Sequence, residues 1–337
     1  CPNRISLASV WVAETPSMKL TPRRGSGYDP CHTVETNDLI ERQYTGDAEA
    51  YANPRAVSGK WSKSHRRARP VKTTDSIKLA DVKAVYDGAE GNLWELLMGE
   101  QIHIGGFKSS MDLAERAGIG AGQRGVDLCC CNGAGMRFLV RFRDVSSMIG
   151  VDATTTVVER GRARCAEEGL ADRIDFKLAD VTASGLPDGQ ADFVWGEDAW
   201  CYVEDKAKLV AEAARLVKPG GTIAFTDWVE GPAGLSDEEA TTFLVGMKFP
   251  SVQDIEGYKS LLERNGCQVE VAEDTKRFAP YVDLYLQMVD MQLTYDALKI
   301  LGFDSEALGS VATSFGAFQE LAHAGKIAQG RFIARKR

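Results

Sequence analysis

The chain has 337 residues, 44% of them apolar and 26% charged, an ordinary make-up for a globular protein with material for a sizeable core. The net charge of −8 is uneven: residues 1–75 carry 12 Lys+Arg against 8 Asp+Glu, and the remainder 28 against 40. An acidic folded part argues against a nucleic-acid partner, which needs a basic face. No window reaches the roughly 18 apolar residues of a membrane span, so no membrane partner is expected. Length alone admits one large domain or two ordinary ones.

The chain opens on Cys1 rather than Met, and its apolar patch Ile5–Ala13 lacks the basic lead-in and cleavage site of a signal peptide. Eight cysteines contain no C-x-x-C pair, and most fall in predicted strands or a helix. That pattern reads as small buried apolar residues of a reducing, cytoplasmic setting. Residues 1–75 are rich in Pro, Gly, Ser, Arg and Thr and are read as irregular or disordered, with a short helix at Asp38–Tyr44. The run Lys63-Ser-His-Arg-Arg-Ala-Arg69 is read as a solvated tail segment.

Periodic apolar pattern begins at Ser76. Ile77, Ala80, Val82, Val85 and Tyr86 share a helical face, and a second helix around Leu93–Met98 stops at Gly99. His103 lies between two isoleucines and ahead of two glycines, in a loop able to approach a ligand closely. Ser109 or Ser110 is expected to cap a helix through Ala117. These elements form a helical lid over residues 76–118.

Strands are expected at 126–130, 147–152, 174–178, 191–195 and 222–227, with helices at 136–143, 154–168 and 205–217 between them. This alternation predicts an α/β fold with a mostly parallel, Rossmann-like sheet and helices on both faces. A helix at 252–264, a strand at 267–273, helices at 281–301 and 305–324 and a last strand at 330–335 complete it. The α/β core spans 119–277, and a helical cap insertion (278–328) interrupts its last hairpin before the final strand in 329–337.

The centre of this pattern is Arg124-Gly-Val-Asp-Leu-Cys-Cys-Cys-Asn-Gly-Ala-Gly135, a strand, a tight loop and a helix N-terminus. Such a junction offers free N–H groups to a carboxylate, ribose or phosphate. A dinucleotide fingerprint would continue to a third glycine; here Met136, Arg137 and the bulky Phe138 follow Gly133-Ala-Gly135, which counts against an oxidoreductase. Asp127 lies near the end of the first strand. Asp152, followed by Ala153, ends the second, placed to accept two ribose hydroxyls. Asp180-Val181 follows the third, and Glu197-Asp198 ends the fourth. Leu216-Val-Lys-Pro-Gly-Gly221 leads into the fifth.

Together these positions resemble the class I S-adenosylmethionine-dependent methyltransferases, from about Tyr86 to the C-terminus. Gly99-Glu-Gln-Ile-His-Ile-Gly105, Gly196-Glu-Asp-Ala199, Lys206-Ala-Lys-Leu209 and Ala324-Gly-Lys326 narrow the resemblance to the sarcosine/dimethylglycine N-methyltransferases, which make glycine betaine. Gly135-Met-Arg-Phe-Leu139 is also similar to the sterol and tocopherol methyltransferases. The resemblance implies S-adenosylmethionine as cofactor, held by Asp127, Cys129, Gly133, Gly135, Asp152, Ala153, Asp180, Val181 and Glu197, and an antiparallel last strand. It also implies methyl transfer to a small molecule.

The pattern departs from the family at Cys129 and Cys131, where glycines are usual. A Cβ is tolerated there if the backbone is extended; a left-handed backbone would put strain into the cofactor loop. A zinc reading of the three thiols fails because adjacent strand residues face opposite ways and no partner ligands are spaced for it. For an amine acceptor, His103 is the expected catalytic contact. Tyr86, Trp94, Asp198, Trp200 and Tyr202 are the expected substrate contacts, with the aromatics able to surround a methylated cation. Lys108, Lys248 or Arg277 would pair a substrate carboxylate. The alternatives are an O-, S- or C-methyltransferase of a lipid, quinone-like or specialised metabolite, and a non-catalytic protein that keeps the fold. Beyond the small-molecule substrate, a homodimer is the partner left open.

Overall fold

The computed structural model describes residues 68–337. The readings for residues 1–67, including the helix at Asp38–Tyr44 and most of the basic run, lie outside the described residues. Arg69, the end of that run, is not a free tail residue: its guanidinium donates to the Gly231 carbonyl at 2.7 Å and its backbone N–H to Asp254 at 2.9 Å. Within the segment read as irregular, β1 (Lys72–Thr73) forms a two-stranded ribbon with β7 (Ser251–Val252).

Seven further strands make one sheet. They are β2 (Arg124–Leu128), β3 (Ser147–Asp152), β4 (Ile174–Leu178), β5 (Ala191–Glu197), β6 (Val217–Glu230), β8 (Cys267–Asp274) and β9 (Ile327–Lys336), in the order β4-β3-β2-β5-β6-β9-β8. β4 through β6 are parallel, while β9 runs antiparallel between β6 and β8. The chain steps outward from β2 to β4, then returns to lay β5 on the other side of β2. That reversal leaves a crevice at the C-terminal ends of β2 and β5, where an open sheet takes its ligand.

Three helices precede the sheet: α1 (Leu79–Asp87), α2 (Ala89–Met98) and α3 (Gly106–Ala117). α2 ends at Gly99, whose φ of 76° only glycine adopts without strain. Ser109 and Ser110 do not cap α3. Gly105 and Gly106, both at positive φ, begin the helix earlier and carry the two hydroxyls into buried positions within it. Asp112 on α3 receives Arg116, Arg277 and Arg331, the last two at 2.6 Å, which fastens this helix to the far edge of the sheet. Burial pushes the Asp112 carboxyl up, but the three guanidiniums outweigh it and hold it below its usual range.

Helices α4 (Ala134–Phe142), α5 (Thr155–Glu167) and α6 (Lys206–Leu216) connect the parallel strands. α7 (Asp237–Met247) has no counterpart in the sequence reading, although Ser236 and Glu239 form its capping box. α8 (Ile255–Arg264) precedes β8. Between β8 and β9 lie α9 (Phe278–Met288), α10 (Thr294–Ile300) and α11 (Ser305–His323). The single helix expected over 281–301 is broken by a π turn at Val289–Leu293, where Thr294 Oγ1 turns back to the Asp290 carbonyl.

Two apolar clusters cover the faces of the sheet, one with Val194, Trp200, Phe225 and Tyr258, the other with Met136, Leu139, Phe193 and Trp195. A third, rich in aromatics, joins the lid helices, α7 and the 278–324 block through Trp94, Trp228, Phe243, Phe278 and Phe318. The central strands leave no room where they pass behind the loop after β2. A Cβ on Gly150 would lie 2.4 Å from Met136 Cε and 2.5 Å from Cys130 Sγ. Gly150→Ala is expected to destabilise the protein by about 1–3 kcal/mol through overpacking, measured by urea unfolding; an unchanged midpoint would show that Met136 and Cys130 yield freely.

Candidate active site

β2 stops at Leu128 because the backbone then turns left-handed: φ is 66° at Cys129, 48° at Cys131 and 75° at Gly133. The cysteines therefore occupy the conformation in which a Cβ is strained, not the extended one. Each such residue costs on the order of 1–3 kcal/mol and persists only where its surroundings fix it. Here the Cys129 and Cys130 N–H groups donate to the Val151 carbonyl at 2.9 and 3.2 Å, and the Cys131 N–H donates to Asp152 Oδ2 at 3.0 Å. Burial and the Asp152 carboxylate push the Cys131 thiol up to about 12, so it stays protonated.

The loop forms one wall of a cleft of about 860 Å³, a size that suits a small ligand. Of the expected site residues the cleft brings together Tyr86, Cys129, Asp152, Ala153, Asp180, Val181 and Tyr202. Asp152 accepts the Cys131 N–H on one oxygen and the Thr154 N–H, at 2.9 Å, on the other. Burial raises its carboxyl, and these backbone donors partly oppose the rise. Asp180 takes the Thr182 N–H and hydroxyl, both at 2.8 Å, on a single oxygen. The rings of Tyr86 and Tyr202 meet edge to face at 5.7 Å across the cleft, and burial raises both phenols, which stay neutral.

Trp94, His103, Asp127, Gly133, Gly135, Glu197, Asp198 and Trp200 do not line this cleft. Trp200 is wholly buried, stacked on Phe225 at 3.9 Å, with its N–H given to the Leu128 carbonyl; it belongs to the core, and neither ring face is open to a substrate. Trp94 packs against Phe315 in the aromatic cluster. Asp198, at φ 50°, anchors the loop before α3 by accepting the Ile104 N–H at 2.8 Å and the Gln329 amide at 2.8 Å. His103 is 3% exposed, and its Nε2 lies 3.1 Å from Ser110 Oγ and 3.3 Å from Glu197 Oε1. Ser110 donates to the same Glu197 oxygen at 2.7 Å, and the Trp195 indole to the other at 3.1 Å. Glu197 thus faces a buried polar cluster behind the loop.

Two participants have other parts than the sequence suggests. Ser110 looked like a cap and is a partner of Glu197. Lys206 opens a motif of the family resemblance, in the helix expected over 205–217. Its ammonium is buried, 2.9–3.2 Å from the carbonyls of Cys201, Val203 and Ser251 and 2.7 Å from the Ser251 hydroxyl. It ties the cleft wall that carries Tyr202 and Val203 to β7. Burial lowers it to about 8, against the pull of Asp227, which burial raises to about 7. A buried lysine at a helix start reads in the sequence like a solvated one, so only the tertiary contacts reveal the tether.

The strand order, the turn after β2 and the acids at the strand ends define the class I S-adenosylmethionine-dependent methyltransferase fold. Comparison with known proteins agrees. Residues 126–225 match the family described as a methyltransferase domain. The chain is 28% identical over 207 residues to the 27-O-demethylrifamycin SV methyltransferase of Amycolatopsis mediterranei, covering 57% of this chain and 75% of that one. It is 30% identical over 168 residues to an Oryza sativa subsp. japonica protein described as a tocopherol O-methyltransferase, covering 44% of this chain and 46% of that one. Among solved structures, a Galdieria sulphuraria protein described as a sarcosine dimethylglycine methyltransferase superposes with a TM-score of 0.67 at 22% identity, over 75% of this chain and 98% of that one. Haemonchus contortus phosphoethanolamine N-methyltransferase 2, bound to phosphomonomethylethanolamine and S-adenosylhomocysteine, gives 0.68 at 20% identity, over 75% and 58%. Residues 126–225 thus match a methyltransferase domain within a class I S-adenosylmethionine-dependent methyltransferase fold, and the chain spans about half the length of the tocopherol relative.

Lys206→Met would leave three carbonyls and a hydroxyl buried without their donor. We expect a loss of about 3 kcal/mol in urea unfolding; a change below about 0.5 kcal/mol would mean that water replaces the ammonium there.

Proposed function

We propose that the cleft holds S-adenosylmethionine, with Asp152 accepting ribose hydroxyls and Asp180 and Val181 receiving the adenine, and that the methionine end passes the turn after β2 toward Asp127, which lies behind the cleft lining. The donor set fits the group. Asp152 keeps free lone pairs at the cleft, and the Asp127 carboxylate accepts no hydrogen bond among the described residues. When bound, the cofactor supplies a methyl group made electrophilic by a sulfonium. The chain supplies position and a dry site: Tyr86 and Tyr202 narrow the cleft, and the Lys206 tether fixes one wall.

For the acceptor we propose a small, largely apolar molecule with a neutral nucleophile, methylated on oxygen, nitrogen or carbon. The observation that supports this is the apolar and aromatic part of the cleft lining, with Val71, Leu79, Val82, Tyr86, Val181 and Tyr202. Lys108 and Lys248 lie outside the cleft, and Arg277 is engaged by Asp112 and Ser109. Of the cations at the cleft, Lys206 is engaged by carbonyls and Lys208 by Asp205, while Arg264 has no ion-pair partner among the described residues and is the cation left for a substrate carboxylate in the second reading below. The rifamycin and tocopherol relatives agree in kind. Sarcosine or dimethylglycine is the second reading, favoured by the Galdieria neighbour, whose whole length the fold matches. In either case His103, held by Ser110 and Glu197, acts as a positioning residue and not as the acceptor's base.

A methyl-transfer assay with labelled cofactor tests this across a phenolic polyketide, a tocopherol precursor, phosphoethanolamine, sarcosine and dimethylglycine. Label is expected on the neutral ring-bearing acceptors; label on dimethylglycine alone would favour the second reading, and label on none would support a non-catalytic protein. Asp152→Asn is expected to weaken S-adenosylhomocysteine binding at least tenfold, about 1.4 kcal/mol, by calorimetry; unchanged affinity would remove the ribose assignment. His103→Gln keeps an N–H for Glu197 and is expected to retain turnover within about tenfold, whereas loss of a true general base would cost roughly a hundredfold or more.

A further inference from the structure

Asp127 and Glu197 lie on neighbouring strands and converge on the start of α4. A Cβ on Gly135 would stand 3.1 Å from Glu197 Oε2 and 3.6 Å from Asp127 Oδ2. Both carboxyl groups are buried; the His103 ring stands 3.3 Å from Glu197 Oε1, and no cation stands beside Asp127 among the described residues. Arg137, the nearest arginine on α4, is turned to the Asn132 carbonyl, Glu100 and Glu168. Two carboxylates so placed cannot both stay ionised without a compensating positive charge.

Their surroundings decide which one carries the proton. Glu197 receives the Ser110 hydroxyl, the Trp195 indole and the His103 ring, three donors that favour its ionised form. Asp127 receives none among the described residues. The groups facing it are Glu197 from β5, Asp152 from β3 and the thiols of Cys129 and Cys130, with no positive charge among them. Burial first, then Glu197 and Asp152, hold the Asp127 carboxyl well above its usual range.

We propose that the cofactor-free enzyme keeps Asp127 protonated beside an ionised Glu197, and that arrival of the cofactor's ammonium expels this proton, so that cofactor binding releases one proton from Asp127. The O–H bond of the carboxylic acid breaks, the proton leaves to buffer, and the carboxylate left behind pairs with the ammonium. This rests on the placement of the methionine end at Asp127 proposed above. The sign follows from linkage: cofactor binding lowers the pKa of Asp127, so between the bound and free values affinity rises with pH.

Calorimetry of S-adenosylhomocysteine, which carries the ammonium but no sulfonium, tests this in buffers of different ionisation enthalpy. The window of about pH 5–7 keeps the ligand's own amine protonated. We expect close to one proton released and a Kd that tightens up to tenfold per pH unit. Adenosine, which lacks the ammonium, should bind without release, and Asp127→Asn should bind S-adenosylhomocysteine more weakly and without release. Binding of S-adenosylhomocysteine whose heat is independent of buffer would overturn the proton linkage while leaving the cofactor site intact. Release that persists in Asp127→Asn would overturn the assignment to Asp127. No heat at all would remove the cofactor reading and this inference with it.

Discussion

The turn that follows β2 is the constraint on which the site depends. It must reverse the chain within a few residues and hand it from β2 to α4 at the rim of the crevice. A left-handed backbone at Cys129, Cys131 and Gly133 does this. The turn is held from outside, by Val151 and Asp152 at the end of β3, and those bonds offset the strain of placing two cysteines where a Cβ is unwelcome. The same Asp152 carboxylate then serves as a wall of the cleft, which couples the loop's shape to whatever occupies the site.

Acids dominate this edge of the sheet, and burial is the leading influence on their charge. Asp127, Asp152, Glu197, Asp198 and Asp227 are all raised by burial, each opposed to a different degree by local donors. Glu197 and Asp198 are neighbours in sequence but serve separate ends: one gathers Ser110, His103 and Trp195, the other fastens Ile104 and Gln329. The lid is thereby attached to the core through hydrogen bonds from residues that looked, one by one, like ligand contacts.

The acids at strand ends, the glycines at 133 and 135 and the β-α alternation were legible because periodicity and turn chemistry are local. The boundaries of β3 and β4 and the break at Gly99 follow from the same signals. Others were not legible. Ser109 and Ser110 carry a capping signal, but Gly105 and Gly106 win because they alone accept the required φ without strain. Trp200 sits among site residues in sequence, yet a one-turn 3₁₀ segment rotates it into the core against Phe225. The π turn in the 278–324 block has no sequence signature in its apolar pattern.

The sequence by itself determined the class of fold, the cofactor that its spacing of acids suits and the identity of the loop, since these depend on the order of elements along the chain. Tertiary structure alone decided which side chains meet. It put His103 behind the cleft with Glu197 and made Lys206 a buried tether. It also brought Asp127 and Glu197, 70 positions apart, to the same glycine. Such meetings are set by strand order and register, and the ionisation of a buried group is set by neighbours that the linear chain does not place beside it.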